Sequence, residues 1–191
     1  MEIYLVRHTK PLIDKDICYG QTDLVVDDAA FKESAKLIVR SLPEKIDAIY
    51  SSPLIRCGVL AEFIKLEKYP SLDIAYSPLL KEIHFGEWEN KKWDDINQIH
   101  LSKWMNDFVN ETVPGGESFI QLYQRVKLFI TAVINSSHSA ALIITHAGVI
   151  RAATAYIQQG ALKDAFAISC EYGCVTKFEL NDVAEQVNTL R

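Results

Sequence analysis

Residues 140–158 read AALIITHAGVIRAATAYIQ, and the fold turns on how this stretch is read. Ala140–Thr145 is a continuous apolar run closed by a threonine, as expected of a strand covered on both faces rather than wetted on one. A histidine follows at once, and from Gly148 to Gln158 the pattern becomes helical. An apolar strand feeding straight into a helix is the unit from which parallel sheets between helical layers are built.

The same units recur towards both ends of the chain. Ile3–Val6 and Asp47–Tyr50 are further short apolar runs, Ser71–Tyr76 is a weaker one, and Cys174–Leu180 alternates in part as a late strand would. Between them, Asp27–Ser41 opens on an Asp-Asp capping signal and then places Phe31, Ala35, Ile38 and Leu42 at helical spacing. Leu54–Lys65 follows SSP, a cap with proline in the first turn. Glu117–Ile134 sets Phe119, Leu122, Val126, Phe129, Ile130 and Val133 on one face. The expected fold is therefore α/β, a three-layer α/β/α sandwich with a mostly parallel central sheet. Phe85–Gly116 breaks the alternation and holds all three tryptophans, so it reads as a small helical insertion over one end of the sheet. With no repeats and no linker-like runs, residues 1–191 are expected to form one domain, the insertion spanning about 85–116.

Composition narrows the partners. A formal net charge of -5 argues against a general nucleic-acid binder, so any anion site must come from a local cluster of cations. No apolar run approaches the roughly 20 residues that span a bilayer, and IYLV is too short for a secretory signal core. The four cysteines are Cys18, Cys57, Cys170 and Cys174. The spacing of CEYGC allows a metal, but no further Cys or His stands near enough to complete a zinc pattern. Reduced thiols, a cytoplasmic location, no metal and no membrane partner are the expectations.

In an open parallel sheet, ligands bind beyond the carboxyl ends of the strands. Those positions carry Arg7 and His8 after the first strand, and Arg56 in SSPLIRC after the second. Glu82 and His84 follow the third in LLKEIHFGEWE, and His146 follows the fourth. Each has a plainer reading when taken alone. Arg7 suits a surface ion pair, Arg56 an exposed helix face, His146 a helix cap, Glu82 a solvated carboxylate and His84 a packing role. Spaced one per strand end, the set points to phosphoryl chemistry. Arginine forks match phosphate oxygens, a helix N-terminus adds free N–H groups, and neutral imidazole is a nucleophile towards phosphorus. A carboxylic acid with a raised pKa would protonate the leaving oxygen.

In order, LVRHTKP, SSPLIRC, LLKEIHFGEWE, PGGES and ITHAGVIRA resemble the histidine phosphatase superfamily, which includes the cofactor-dependent phosphoglycerate mutases. The likeness runs from Ile3 to about Ala153. ICYGQTDLVV, VPGGES and HAGVIRA further resemble the alpha-ribazole phosphatases, which remove a 5′-phosphate late in cobalamin nucleotide-loop assembly. The resemblance implies a phosphoglycerate mutase-like fold, a small-molecule phosphomonoester substrate, and no metal or organic cofactor. It implies His8 as the nucleophile, Glu82 as proton donor, and Arg7, Arg56 and His146 around the phosphate. A mutase or a broad sugar-phosphate phosphatase on the same scaffold stays open, as does a binding module without catalysis.

Two positions depart from the family pattern. Thr9 replaces the usual glycine of RHG, and its hydroxyl is expected to reach the phosphate or a nearby carbonyl. Asp14 falls near a phosphate-binding asparagine of the mutases, where a carboxylate would repel phosphate. That counts against a mutase. Tyr19 and Gln21 are expected to border the substrate, where a flat base would stack on an aromatic ring. Trp88 is read as a packing residue, Arg151 as a structural partner of a carboxylate, and Cys57 as packing.

Overall fold

A computed structural model describes residues 1–180; residues 181–191, which the single-domain expectation includes, lie outside the described residues. Five strands form one sheet in the order β3-β2-β4-β1-β5: β1 (Glu2–Arg7), β2 (Ala48–Ser51), β3 (Ile74–Tyr76), β4 (Ala140–Thr145) and β5 (Val175–Glu179). β1, β2, β3 and β4 run parallel, and only β5 pairs antiparallel, at the edge beside β1. The α/β expectation with a mostly parallel sheet is borne out. The expected third strand shrinks to its last three residues, because Tyr69 to Asp73 turn onto the edge rather than pairing.

The apolar runs are continuous because helices cover both faces. Ile3, Leu5, Ala141 and Ile143 pack with α4 (Phe119–Ile134) and α5 (Ala147–Ile157). Their alternates Tyr4, Val6, Leu142 and Ile144 pack with α1 (Asp28–Ser41) and α2 (Ile55–Lys68). The six residues of β4 are all buried, so that strand shows no polar alternation. α4 begins with a capping box, the Ser118 hydroxyl accepting from Gln121 N while the Gln121 side chain accepts from Ser118 N.

The segment 85–116 holds α3 (Gln98–Asn106) and two short 3₁₀ turns. Its Trp88, Ile96 and Val113 enclose Cys18, with Phe85, Trp93 and Trp104 at the margin. Cys18 N donates to Lys91 O at 2.8 Å and Asn90 N to Cys18 O at 2.8 Å. That clasp fixes the loop bearing Tyr19 and Gln21. Among the described residues no helix is long and apolar enough to cross a membrane.

Candidate active site

Register explains why distant residues meet. Arg7 pairs with Thr145 across β1 and β4, and Ser51 with Ile144 across β2 and β4. Three strands thus end side by side. His8 N donates to Thr145 O at 3.0 Å and Ser52 N to Ile144 O at 2.9 Å, carrying the ladder one residue past each strand. The rings of His8 and His146 stand 5.1 Å apart, and both residues are buried.

His8 Nδ1 lies 2.6 Å from the Thr9 carbonyl oxygen. A carbonyl only accepts, so Nδ1 carries the proton and Nε2 keeps its lone pair. Burial, and then the Arg56 charge with a smaller share from Arg7, pull the His8 pKa down to about 3, against the contrary pull of the Thr9 bond. His8 is therefore neutral at physiological pH. His146 occupies the N-cap of α5, and its Nε2 is 2.8 Å from Ser52 Oγ. Burial first, then Arg56, holds its pKa well below the ordinary imidazole range. The Cys57 thiol also touches it, 3.5 Å from Nε2, and burial pushes that thiol up. Cys57 is thus a neighbour of the site imidazole as well as a packing residue.

The exposed-helix reading of Arg56 is corrected: among the described residues it is the largest fully buried side chain. Its guanidinium is needed inward, where Nη1 donates to Thr22 O at 2.8 Å and Nη2 to Gly20 O at 2.6 Å. Arg7 Nη1 donates to Cys170 O, and the Tyr172 ring lies 3.8 Å from the Arg7 guanidinium carbon. Arg7 Nε, Arg56 Nε and Thr9 Oγ1 are buried and have no hydrogen-bond partner among the described residues. Thr9 therefore does not reach a carbonyl. Two cationic donors and a hydroxyl left unpaired in one buried region are what an anion would satisfy.

Glu82 Oε1 accepts from its neighbour Ile83 N at 2.9 Å, and Oε2 from Gly148 N at 3.1 Å, in the first turn of α5. A Cβ on residue 148 would stand 2.3 Å from Glu82 Oε1, so glycine is what lets the carboxylate approach the helix N-terminus. Two residues that the sequence reading left aside hold this arrangement. Arg125 donates to the carbonyls of Leu79, Lys81 and Glu82 at 2.7, 2.6 and 2.9 Å and pairs with Glu117. Glu89 accepts from the backbone N of Gln21, Thr22 and Phe85. Burial opposes its ionisation, but bonds from Thr22, Gln21 and Phe85 hold its carboxyl below the usual range. Neither had a signal beyond a charged residue among other charged residues.

The other expected residues divide. Tyr19 reaches the site's edge, its hydroxyl 2.5 Å from that of Tyr172 and its ring 5.5 Å from the Arg56 guanidinium carbon. Gln21 donates from Nε2 to Glu82 O at 3.1 Å, bracing the carboxylate segment. Asp14 is exposed, and His84 sits half-exposed 3.9 Å from Glu89. Trp88 is buried against Trp104, as read. Arg151 is a correction: among the described residues it meets no carboxylate but donates to Ile168 O and stacks on Phe166, because the 3₁₀ turn Leu162–Ala167 brings a backbone acceptor and a ring to it.

Comparison with known proteins bears on this geometry. Residues 3–191 match the profile of the histidine phosphatase superfamily, branch 1. The chain is 24% identical to the adenosylcobalamin/alpha-ribazole phosphatase of Escherichia coli K12, over 95% of this chain and 91% of that one. It is 27% identical to phosphoserine phosphatase 1 of Hydrogenobacter thermophilus, over 63% of this chain and 59% of that one. The crystal structure of the alpha-ribazole phosphatase from Shigella flexneri superposes with a TM-score of 0.85 at 24% identity, covering 95% and 91% of the two chains, a likeness of fold. The chain belongs to the histidine phosphatase superfamily and is a phosphatase.

Proposed function

We propose that this protein hydrolyses a small phosphomonoester through a phosphohistidine at His8, and that its substrate is alpha-ribazole 5′-phosphate. The observation that carries the mechanism is the 2.6 Å contact between His8 Nδ1 and the Thr9 carbonyl, which leaves Nε2 unprotonated. Nε2 attacks phosphorus, the ester P–O bond breaks, and Glu82 gives its proton to the departing oxygen. Thr9 O keeps hold of the Nδ1 proton while the phosphorylated ring carries positive charge. Water then attacks phosphorus, the P–N bond breaks, and the Glu82 carboxylate takes the water's proton. Inorganic phosphate leaves with both side chains restored.

Arg7, Arg56 and His146 serve the equatorial oxygens, where charge spreads in a loose transition state. His146, neutral at physiological pH, donates one N–H to them. Residues 85–116 form part of the roof. Tyr19 and Gln21 border the leaving group. The substrate assignment is supported by the CYGQTD stretch and by the similarity over nearly the whole length to an alpha-ribazole phosphatase. The phosphoserine phosphatase relative favours a second reading, a phosphatase of broader specificity.

Both parts are testable. Phosphate-labelled substrate, quenched within one turnover, should leave a label on the protein that alkali spares and acid removes, and His8→Ala should carry none. An unlabelled wild-type protein that still turns over substrate would overturn the mechanism. Ratios of kcat/KM for alpha-ribazole 5′-phosphate, phosphoserine and 3-phosphoglycerate decide the substrate.

A further inference from the structure

One loop of this protein wraps the Arg7-His8 step and carries two thiols that face each other. In CEYGC, the sulfurs of Cys170 and Cys174 are 3.5 Å apart, and both cysteines are free. Gly173, at φ +74°, supplies the left-handed residue that the turn needs, and Cys174 N donates to Glu171 O at 3.1 Å to close it. The other two cysteines are buried elsewhere, Cys18 in the tryptophan cluster and Cys57 beside His146.

The hydrogen bonds that the loop's backbone makes outside itself fall on two residues. The Cys170 carbonyl accepts from Arg7 Nη1, and the Cys174 carbonyl accepts from Arg7 N at 3.0 Å. Gly173 N donates to His8 O at 3.2 Å. Tyr172 lies across the Arg7 guanidinium, with its ring centre 5.6 Å from that of His8. Each thiol thus sits on a residue whose own carbonyl anchors Arg7, one at the side chain and one at the backbone.

We propose that Cys170 and Cys174 are a redox-modification site oxidised by a hydroperoxide, and that forming their disulfide shifts Arg7 and lowers phosphate-ester turnover. The consequence for turnover rests on Arg7 binding phosphate as proposed above; the oxidation itself does not. Cys174 is the more exposed of the two thiols, and its hydrogen bond with Cys170, aided by Arg7 and opposed by burial, brings its pKa down to about 7. The same contact and burial push the Cys170 thiol up. Cys174 is therefore the thiolate that attacks first.

Its sulfur takes the terminal oxygen of the hydroperoxide, the O–O bond breaks, and the alkoxide leaves as the alcohol with the proton that Cys174 gave up. The Cys170 sulfur then attacks the resulting sulfenic acid, the S–O bond breaks, and hydroxide departs as water with the Cys170 proton. Two thiols lose two electrons, and one hydroperoxide becomes one alcohol and one water. A disulfide holds its sulfurs about 2.05 Å apart, so the pair must close by roughly 1.5 Å from its present 3.5 Å. That movement falls on the backbone that fixes Arg7 at both ends.

The test treats the full-length protein with a modest excess of hydrogen peroxide and reads two quantities. Intact mass and thiol counting should show the loss of two hydrogens and of two thiols, mapped to a Cys170–Cys174 peptide and reversed by dithiothreitol. The oxidised protein should lose about tenfold in kcat/KM, and inorganic phosphate should inhibit it correspondingly less. Cys170→Ser and Cys174→Ser, each compared with its own untreated sample, should not lose turnover reversibly. Four thiols surviving peroxide would overturn the site whatever the activity. A disulfide that forms while kcat/KM and phosphate inhibition stay unchanged would overturn the link to Arg7. A reduced protein inactive on every phosphomonoester would instead count against the proposed function, with the thiol chemistry judged by mass alone.

Discussion

The substitution Gly148→Ala separates the placing of Glu82 from the stability of the fold. An alanine Cβ would stand 2.3 Å from Glu82 Oε1 and 3.2 Å from Leu122 Cδ2. The nearer atom is the free end of a flexible side chain, so the carboxylate swings away rather than the helix breaking. The variant loses the Gly148 N to Glu82 bond, a hydrogen bond worth about 0.5–1.5 kcal/mol. Against that, alanine inside a helix gains up to about 1 kcal/mol over glycine. The net cost in stability is at most about 1.5 kcal/mol, well short of the roughly 5–15 kcal/mol that holds a typical domain folded.

With Glu82 as the proposed proton donor, the cost in turnover is larger, because a displaced carboxyl would no longer protonate the leaving oxygen, and general acid catalysis contributes about 10²–10⁴-fold. The assay is kcat on an alkyl phosphate and on 4-nitrophenyl phosphate, with urea unfolding alongside. The alkyl ester needs the proton and should lose about 100-fold or more, while the nitrophenyl ester, whose phenolate leaves unaided, should lose far less. Glu82→Gln should reproduce the same split. If Gly148→Ala keeps wild-type kcat on the alkyl ester, or lowers both esters equally, the placement of Glu82 as the acid is wrong.

Three further outcomes follow from the same geometry. His8, depressed to about 3, and His146, also depressed, bind fewer protons folded than unfolded. Their contribution is fully present above the unfolded imidazole value near 6.5 and drains as pH falls below it, by about 1.4 kcal/mol per pH unit for each. Urea midpoints between pH 7 and 4.5 should show this slope, and His8→Asn should flatten it; a slope unchanged in that variant would refute the assignment. Arg56→Lys keeps the charge but not the fork that reaches Gly20 and Thr22, and should lower kcat/KM about 100-fold with weaker phosphate inhibition. Arg125→Ala frees the carbonyls of Leu79, Lys81 and Glu82. It should cost about 2–4 kcal/mol in urea and lower kcat on alkyl phosphates more than on the nitrophenyl ester.

The sequence by itself determined the layers and the strand ends. Runs such as ALII and IYLV have no polar alternation, which only a strand covered on both faces tolerates, and the helical spacings name the covering faces. Arg7, His8, Arg56, Glu82 and His146 were legible because each follows a strand in chain order. Tertiary structure alone decided what they meet. The order β3-β2-β4-β1-β5 is not the chain order, so nothing local announces that β4 lies between β1 and β2 and sets His8 beside His146. Arg56 is buried because its carbonyl partners come from residues 20 and 22, and Arg125 matters because a bend 43 to 46 residues away turns its carbonyls towards it. CEYGC reads in sequence as a stray pair of thiols. Only the antiparallel return of β5 alongside β1 brings that loop against Arg7, and such pairing leaves no periodicity in the segment it recruits.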